Sequence, residues 1–199
     1  MTRKDETMKL LFRATLFVMV MTVLLGGVYP AAVTAVSRVF WREEANGSFV
    51  TRDGRIVGSE LIGQSFRKPE YLHPRPSAAG RDGYDATASG GRNKGPTDAD
   101  LARAIRDAVA AARADRPGEV RPVPADLVTA SASGLDPHVS PDAAQWQAAR
   151  IAKARGVAED RVLAVIRRRI EGRTLGLFGE PRVNVLRANL DLDRAFPRR

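Results

Sequence analysis

The sequence predicts an α+β protein: one N-terminal transmembrane helix over residues 14–36, followed by a single mixed α/β soluble domain. Three observations predict it. From Ala14 to Val36 run 23 residues without a charge. Asp53-Gly54 lies between Phe49-Val50 and Ile56-Val57, the pattern of a tight β-hairpin. Three later stretches carry apolar residues at helical spacing. The chain therefore divides into a tail over 1–13, the span over 14–36, a linker and hairpin over 37–62, and the remainder of the domain over 63–199.

The span comes first. As a helix its 23 residues reach roughly 35 Å, enough to cross a hydrocarbon core of about 30 Å with some tilt. Pro30 has no N–H and frees the carbonyl of Gly26, which neighbouring helices or water can satisfy. Phe40 and Trp41 follow at the depth of an interfacial aromatic anchor. Gly27, Ala31 and Ala35 fall at i, i+4 and i+8, a small-residue face that lets a second helix approach closely. Two other readings compete. Arg3, Lys4, Lys9 and Arg13 with Val33-Thr34-Ala35 resemble a cleaved secretory signal, although the apolar stretch exceeds the roughly 7–15 residues of such a segment. A buried core helix is disfavoured by length. Basic residues flank the span equally, with Arg38, Arg42, Arg52 and Arg55 on the far side. Lys9 and Arg13 lie closest to it on the short side, which favours the N-terminus inside and the domain outside.

Next come the elements of the domain. Type I′ turns need φ > 0 at both central positions, which Asp-Gly supplies at 53–54. Residues 63–97 are rich in Gly, Pro, Ser and Asp. A stretch of this length without periodicity is either disordered or ordered by packing, and Phe66, Tyr71 and Tyr84 tie parts of it down. A first helix is expected with Thr97 as N-cap and an apolar face through Leu101, Ala104, Ile105, Ala108, Val109 and Ala112. A second starts at Ser140-Pro141 and stops at Gly156. A third uses Val162, Val165, Ile166 and Ile170 and stops at Gly172; its Arg167-Arg168-Arg169 run suits a helix C-terminus. Leu127-Val128-Thr129 reads as a short buried strand, and Val183, Val185 and Leu186 suggest another.

Composition removes several chemistries. The chain has no cysteine, which excludes disulfides, thiol nucleophiles and cysteine-ligated zinc, and only His73 and His138 could serve a histidine site. With 32 Lys+Arg against 23 Asp+Glu the net charge is +9, but no basic stripe interleaved with aromatics points to nucleic acid. Gly90-Gly91-Arg92-Asn93-Lys94-Gly95 has no Ser or Thr after its lysine and is not a Walker A loop. Asp136, His138 and Ser140 contain the residue types of a triad, but neighbours in a proline-flanked loop do not make one. The rival readings are a membrane-anchored extracytoplasmic hydrolase with that loop at its site, and a secreted binding module released by cleavage after Ala35.

Several blocks resemble the C subunit of the Kdp-type potassium-transporting ATPase. They are Asp53-Gly54, Gly58 to Gln64, Tyr71 to Ala78, Ala88 to Pro96, and Pro122 to Pro137. Glu171-Gly172-Arg173 and Gly179 to Leu186 complete the series. With the N-terminal span they cover nearly the whole chain in the family's order. The resemblance implies a small accessory subunit without catalysis of its own, in the bacterial cytoplasmic membrane. Its partners would be a potassium-channel-like subunit, a P-type ATPase subunit and the bilayer. The role implied is to assemble the complex and raise its apparent affinity for ATP, with no tightly bound cofactor.

The family's proposed nucleotide contact, a glutamine on the second soluble helix, corresponds to Gln147. That role needs the domain on the ATP side of the membrane, against the orientation favoured above. The loops over 63–97 and 130–141 are candidates for soluble-domain contacts with other subunits, with Tyr71, Arg75, Ser77, Asn93 and Asp136 as the candidate residues. Two departures stand out. Arg92 and Lys94 add charge and are expected to point away from any ion path. Ala188 stands where the family tends to carry a larger aliphatic residue.

Overall fold

A computed structural model describes residues 3–197. The chain divides after Ser48 into two units. In the first, α1 (Arg3–Val23), a π-helical turn (Leu24–Val28) and α2 (Tyr29–Phe40) form one run. Over Lys4–Phe40 it is long and apolar enough to cross a membrane, and its apolar stretch is exposed. The helix therefore exceeds the expected 14–36. Charge ends the apolar stretch but not the helix, because Lys, Arg, Glu and Met are good helix formers. Residues 1 and 2 of the tail lie outside the described residues. The π turn has a local cause. Pro30 cannot donate to Gly26, and just ahead of it Tyr29 N–H reaches back five residues to Leu24 O. After Phe40 the backbone breaks at Trp41 and resumes as the single turn α3 (Arg42–Ala45).

The second unit opens with β1 (Phe49–Arg52) and β2 (Arg55–Ser59), an antiparallel hairpin with a bulge between Val50 and Thr51. Asp53 (φ 51°) and Gly54 (φ 74°) are both left-handed, as the turn requires. The described residues from there to α4 (Ala99–Asp115) form no helix or strand. They are nonetheless ordered by packing: Leu72 and Ala79 are fully buried. The cap of α4 is Asp98 rather than Thr97. The Asp98 carboxylate accepts from Asp100 N–H (2.8 Å) and Leu101 N–H (3.0 Å), a stronger acceptor than a hydroxyl at a helix N-terminus.

The strand expected at 127–129 is instead a 3₁₀ turn over Ala125–Leu127. Pro124 presets its entry, and Leu127 and Val128 donate back to Pro124 and Ala125. β3 (His138–Val139) leads into α5 (Pro141–Trp146), where Ser140 Oγ caps Ala143 N–H at 3.2 Å with Pro141 in the first turn. The second helix is split. Gln147 separates α5 from α6 (Ala148–Arg155), and α6 ends on left-handed Gly156.

α7 (Glu159–Arg168) stops earlier than expected. Ile170 belongs to β4 (Ile170–Glu171), where its backbone pairs with Val183, and at the joint the Arg169 guanidinium reaches Asp191. Only the first part of the last expected strand exists. β5 (Arg182–Asn184) is followed at once by α8 (Val185–Ala195), because Asn184 Oδ1 caps Arg187 N–H (3.1 Å) and turns the chain. The three-stranded antiparallel sheet has the order β3-β5-β4. Val139 and Val183 from the sheet, Ile151, Val162, Ile166 and Leu192 from the helices, and Leu72 make the core. Ala143, Ala144, Ala148 and Ala188 are wholly buried, so small side chains let the elements of this core pack closely, Ala188 included.

Candidate functional site

Three of the five candidate contact residues meet in one place. Arg75 Nη1 lies 3.2 Å from the Asp136 carboxylate, and Arg75 Nη2 approaches Ala130 O at 3.4 Å. Ser77 Oγ donates to Gly134 O (2.6 Å) and accepts from Tyr84 N–H (2.9 Å) and Ala79 N–H (3.2 Å). The Tyr84 hydroxyl donates to Arg75 O. Backbone bonds run alongside: Gly63 N–H to Leu135 O, Gly90 N–H to Ser133 O, and Ser131 N–H to Pro76 O. The 63–97 and 130–141 loops are thus latched into one surface. Gly134 is essential to it. Its φ is +68°, and a Cβ there would fall 2.7 Å from Ala79 N and 2.8 Å from Gly90 O.

Electrostatics match this geometry. Burial pushes the Tyr84 hydroxyl above its ordinary value, and the Asp136 charge adds to the rise. For Asp136 itself, burial works upward but is outweighed by hydrogen bonds from His138 and Arg75, so its carboxyl is held below the usual range. A neutral Tyr84 and an ionised Asp136 are the states the latch needs.

Gln147 sits at the joint of α5 and α6 and is 3% exposed. Its Oε1 accepts from His73 N–H (2.8 Å) and Arg150 Nη2 (2.6 Å). Its Nε2 donates to His73 O (3.0 Å) and Ala143 O (3.3 Å). All four hydrogen-bonding positions of the amide are filled within the chain. Gln147 lines a cavity of about 440 Å³ with Arg67, His73, Ala108, Trp146 and Arg150. Burial, then the Arg150 charge, hold His73 below the usual histidine value and favour its neutral form.

The other two candidates lie elsewhere. The Tyr71 hydroxyl donates to Asp193 (3.2 Å) on α8, and its ring sits under the Arg155 guanidinium at 5.4 Å. Asn93 is exposed with φ 48° in the glycine-rich turn. In that turn Lys94 points at Asp98 (3.1 Å) and Asp100 (3.2 Å), so its charge is locally neutralised. Gly27, Ala31 and Ala35 lie on the apolar helix; Gly27 is inside the π turn with open space around the missing Cβ.

The rival catalytic loop does not assemble a triad. Ser140 Oγ is committed to Ala143 N–H, and His138 Nδ1 is 3.7 Å from Asp136, whose other partner is Arg75. Two residues that tie the lobe together were missed in the sequence: Arg155, which joins the 70 region to α8 and had no signal, and Asn189, which clasps the backbone of Leu72. A buried Asn on an otherwise apolar helical face was the available clue.

An exposed apolar helix long enough to cross a membrane, in one chain with a cross-latched α+β lobe, defines the class: an α+β protein with one candidate membrane span among the described residues. The family model described as K+-transporting ATPase, c chain, matches residues 11–194. The Potassium-transporting ATPase KdpC subunit of Myxococcus xanthus is 57% identical over 87% of this chain and 82% of its own length. That of Koribacter versatilis is 48% identical over 95% of this chain and 96% of its own. That of Methylibium petroleiphilum is 50% identical over 96% and 100%. The chain belongs to the KdpC family, the c chain of the K+-transporting ATPase.

Proposed function

We propose that this chain is a non-catalytic accessory subunit of an ATP-driven potassium importer. It assembles and stabilises the complex and raises its apparent affinity for ATP. The observation that carries the reading is the apolar helix, whose Leu, Val, Phe and Met side chains are exposed along its length. Such a surface needs lipid around it, and its small-residue face suits a neighbouring helix. Gly27, Ala31 and Ala35 offer the close approach, and the channel-like subunit is the partner assigned to it. The P-type ATPase subunit supplies the chemistry.

The assigned orientation is N-terminus inside and lobe outside the bacterial cytoplasmic membrane. On that side ATP is scarce, so the effect on ATP affinity is conformational. A subunit that binds the ATP-competent conformation more tightly raises affinity without touching nucleotide. A direct contact at Gln147 would require the ligand to take over bonds now made to His73.

Sidedness tests the reading. Ala86 is exposed in the irregular stretch, and the chain has no cysteine of its own. Ala86→Cys is expected to react with an impermeant thiol reagent on spheroplasts; labelling only after permeabilisation overturns the orientation. The stripe has its own test. Gly27→Leu with Ala31→Leu is expected to lower co-purification of the other subunits in mild detergent about fivefold, the loss of roughly 1 kcal/mol of helix packing. Undiminished co-purification would assign the docking to another face.

A further inference from the structure

The segment between β4 and β5 ends in a tip that the lobe itself does not use. Leu175 is 88% exposed, Leu177 69% and Phe178 61%. Exposure here is not fraying. Thr174 N–H donates to Phe178 O and Phe178 N–H to Thr174 O, both at 2.9 Å. Inside that clasp Leu177 N–H donates to Thr174 O (3.1 Å) and Gly176 N–H to Arg173 O (3.0 Å). The tip is a closed miniature hairpin that holds three large apolar side chains in water.

Its backbone makes the point sharper. Leu175 and Gly176 both have positive φ, 55° and 72°. Glycine suits such a position, and Asn or Asp is the next best choice; a bulky leucine there is a true outlier. A turn residue chosen for folding alone would be Asn, Asp or Gly, as at Asp53-Gly54. Strain of this kind, kept in order to present a side chain, is characteristic of binding positions.

The charges beside the tip distinguish the occupants. A lipid-directed loop pairs apolar residues with unneutralised Lys or Arg for anionic headgroups. Here the flanking cations are cancelled within the chain. Arg173 holds both oxygens of Glu180, at 2.9 and 2.7 Å, and Arg182 pairs with Glu171 at 3.2 Å. An apolar aromatic-containing centre with a charge-neutral surround is the anatomy of a protein–protein anchor.

We infer that Leu175, Leu177 and Phe178 form an anchor that inserts into an apolar, uncharged pocket on another subunit of the K+-transporting ATPase complex. The inference rests on the subunit role proposed above. The tip is small, so it serves as the energetic centre of a larger contact.

The test uses the full chain expressed with the rest of its complex. Leu175→Asn with Leu177→Ser removes apolar surface and places a residue suited to left-handed φ at 175. The lobe is expected to melt no lower than the wild type, while the fraction of the other subunits retained on the tagged chain falls at least about tenfold. A photo-crosslinking amino acid at 177 is expected to form an adduct with one of those subunits. Undiminished retention, or adducts with lipid alone, overturns the anchor. Failure of the wild-type chain to retain any other subunit would instead overturn the accessory role.

Discussion

Asn189→Ala is expected to cost the lobe about 2–6 kcal/mol, because it strands two buried backbone groups at about 1–3 kcal/mol each. Asn189 is 2% exposed and Leu72 is fully buried. Asn189 Oδ1 accepts from Leu72 N–H at 2.7 Å, and its Nδ2 donates to Leu72 O at 2.9 Å. Leu72 lies in a segment without secondary structure, so no ladder stands ready to take over either bond. Water cannot reach them without opening the core. Since whole domains are stable by only about 5–15 kcal/mol, the change removes a large fraction of the lobe's stability. Denaturant unfolding of the detergent-solubilised chain measures the loss. Hydrogen exchange at Leu72 localises it, with protection expected to fall first around residues 70–74. An unchanged unfolding midpoint together with undiminished protection at Leu72 would show that the clasp is dispensable.

That clasp also shows where sequence reasoning stops. The apolar helix, the Asp53-Gly54 turn, the Ser140-Pro141 start and the Gly156 stop were legible because each is decided by residues within a turn of one another. The errors came where a neighbour distant in sequence, or an unweighed local residue, decides. The strand read at Leu127–Thr129 ignored Pro124, which commits the chain to a 3₁₀ turn. Ile170 looked like the next helical position after Ile166, but its backbone pairs with Val183. α8 escaped notice because Val183, Val185 and Leu186 read as one strand, and because polar Asn189 interrupts the apolar face at its centre.

Among the candidate contacts, Arg75, Ser77 and Asp136 were found by block resemblance, yet nothing in their spacing foretold that they meet. Arg75 and Asp136 are 61 positions apart, and Gln147 and His73 are 74 apart. The physical consequence is that these residues build the surface first. The Arg75–Asp136 pair and the Ser77–Gly134 bond fix two long loops against each other, so any partner meets a preorganised face and pays little ordering entropy on binding. An accessory subunit that works by favouring one conformation of its neighbours needs such rigidity, because a compliant surface would adapt to both conformations and discriminate between neither.

The second large effect is expected at Arg155, where a single guanidinium closes the far end of the lobe. Its side chain is 4% exposed. It donates to Glu70 O (2.8 Å), Leu192 O (3.1 Å), Phe196 O (3.2 Å) and the Asp193 carboxylate (2.9 Å), and covers the Tyr71 ring. Arg155→Met keeps the apolar stem and removes every donor. Breaking a buried pair from one side costs about 3–5 kcal/mol. Arg52 and the Tyr71 hydroxyl still reach Asp193, at 3.0 and 3.2 Å, and place the expected loss at the lower end of that range. Arg155→Lys is expected to rescue little, because one ammonium cannot reproduce the planar fork.

The pH dependence carries an independent signature of the same contact. Burial would raise the Asp193 carboxyl, but bonds from Arg155 and Arg52 prevail and hold it below the ordinary carboxylate value. A depressed folded-state pKa means stability that is fully present above the unfolded value of about 3.9 and is lost as pH falls through the lower folded value. In Arg155→Met the folded value moves back towards the unfolded one. The variant is therefore expected to be less stable at neutral pH yet to lose less on acidification, so the two unfolding curves converge at low pH. Parallel curves from pH 7 to pH 2 would mean that Arg155 acts through its carbonyl contacts alone, and that the ion pair with Asp193 contributes nothing to holding α8 against the 70 region.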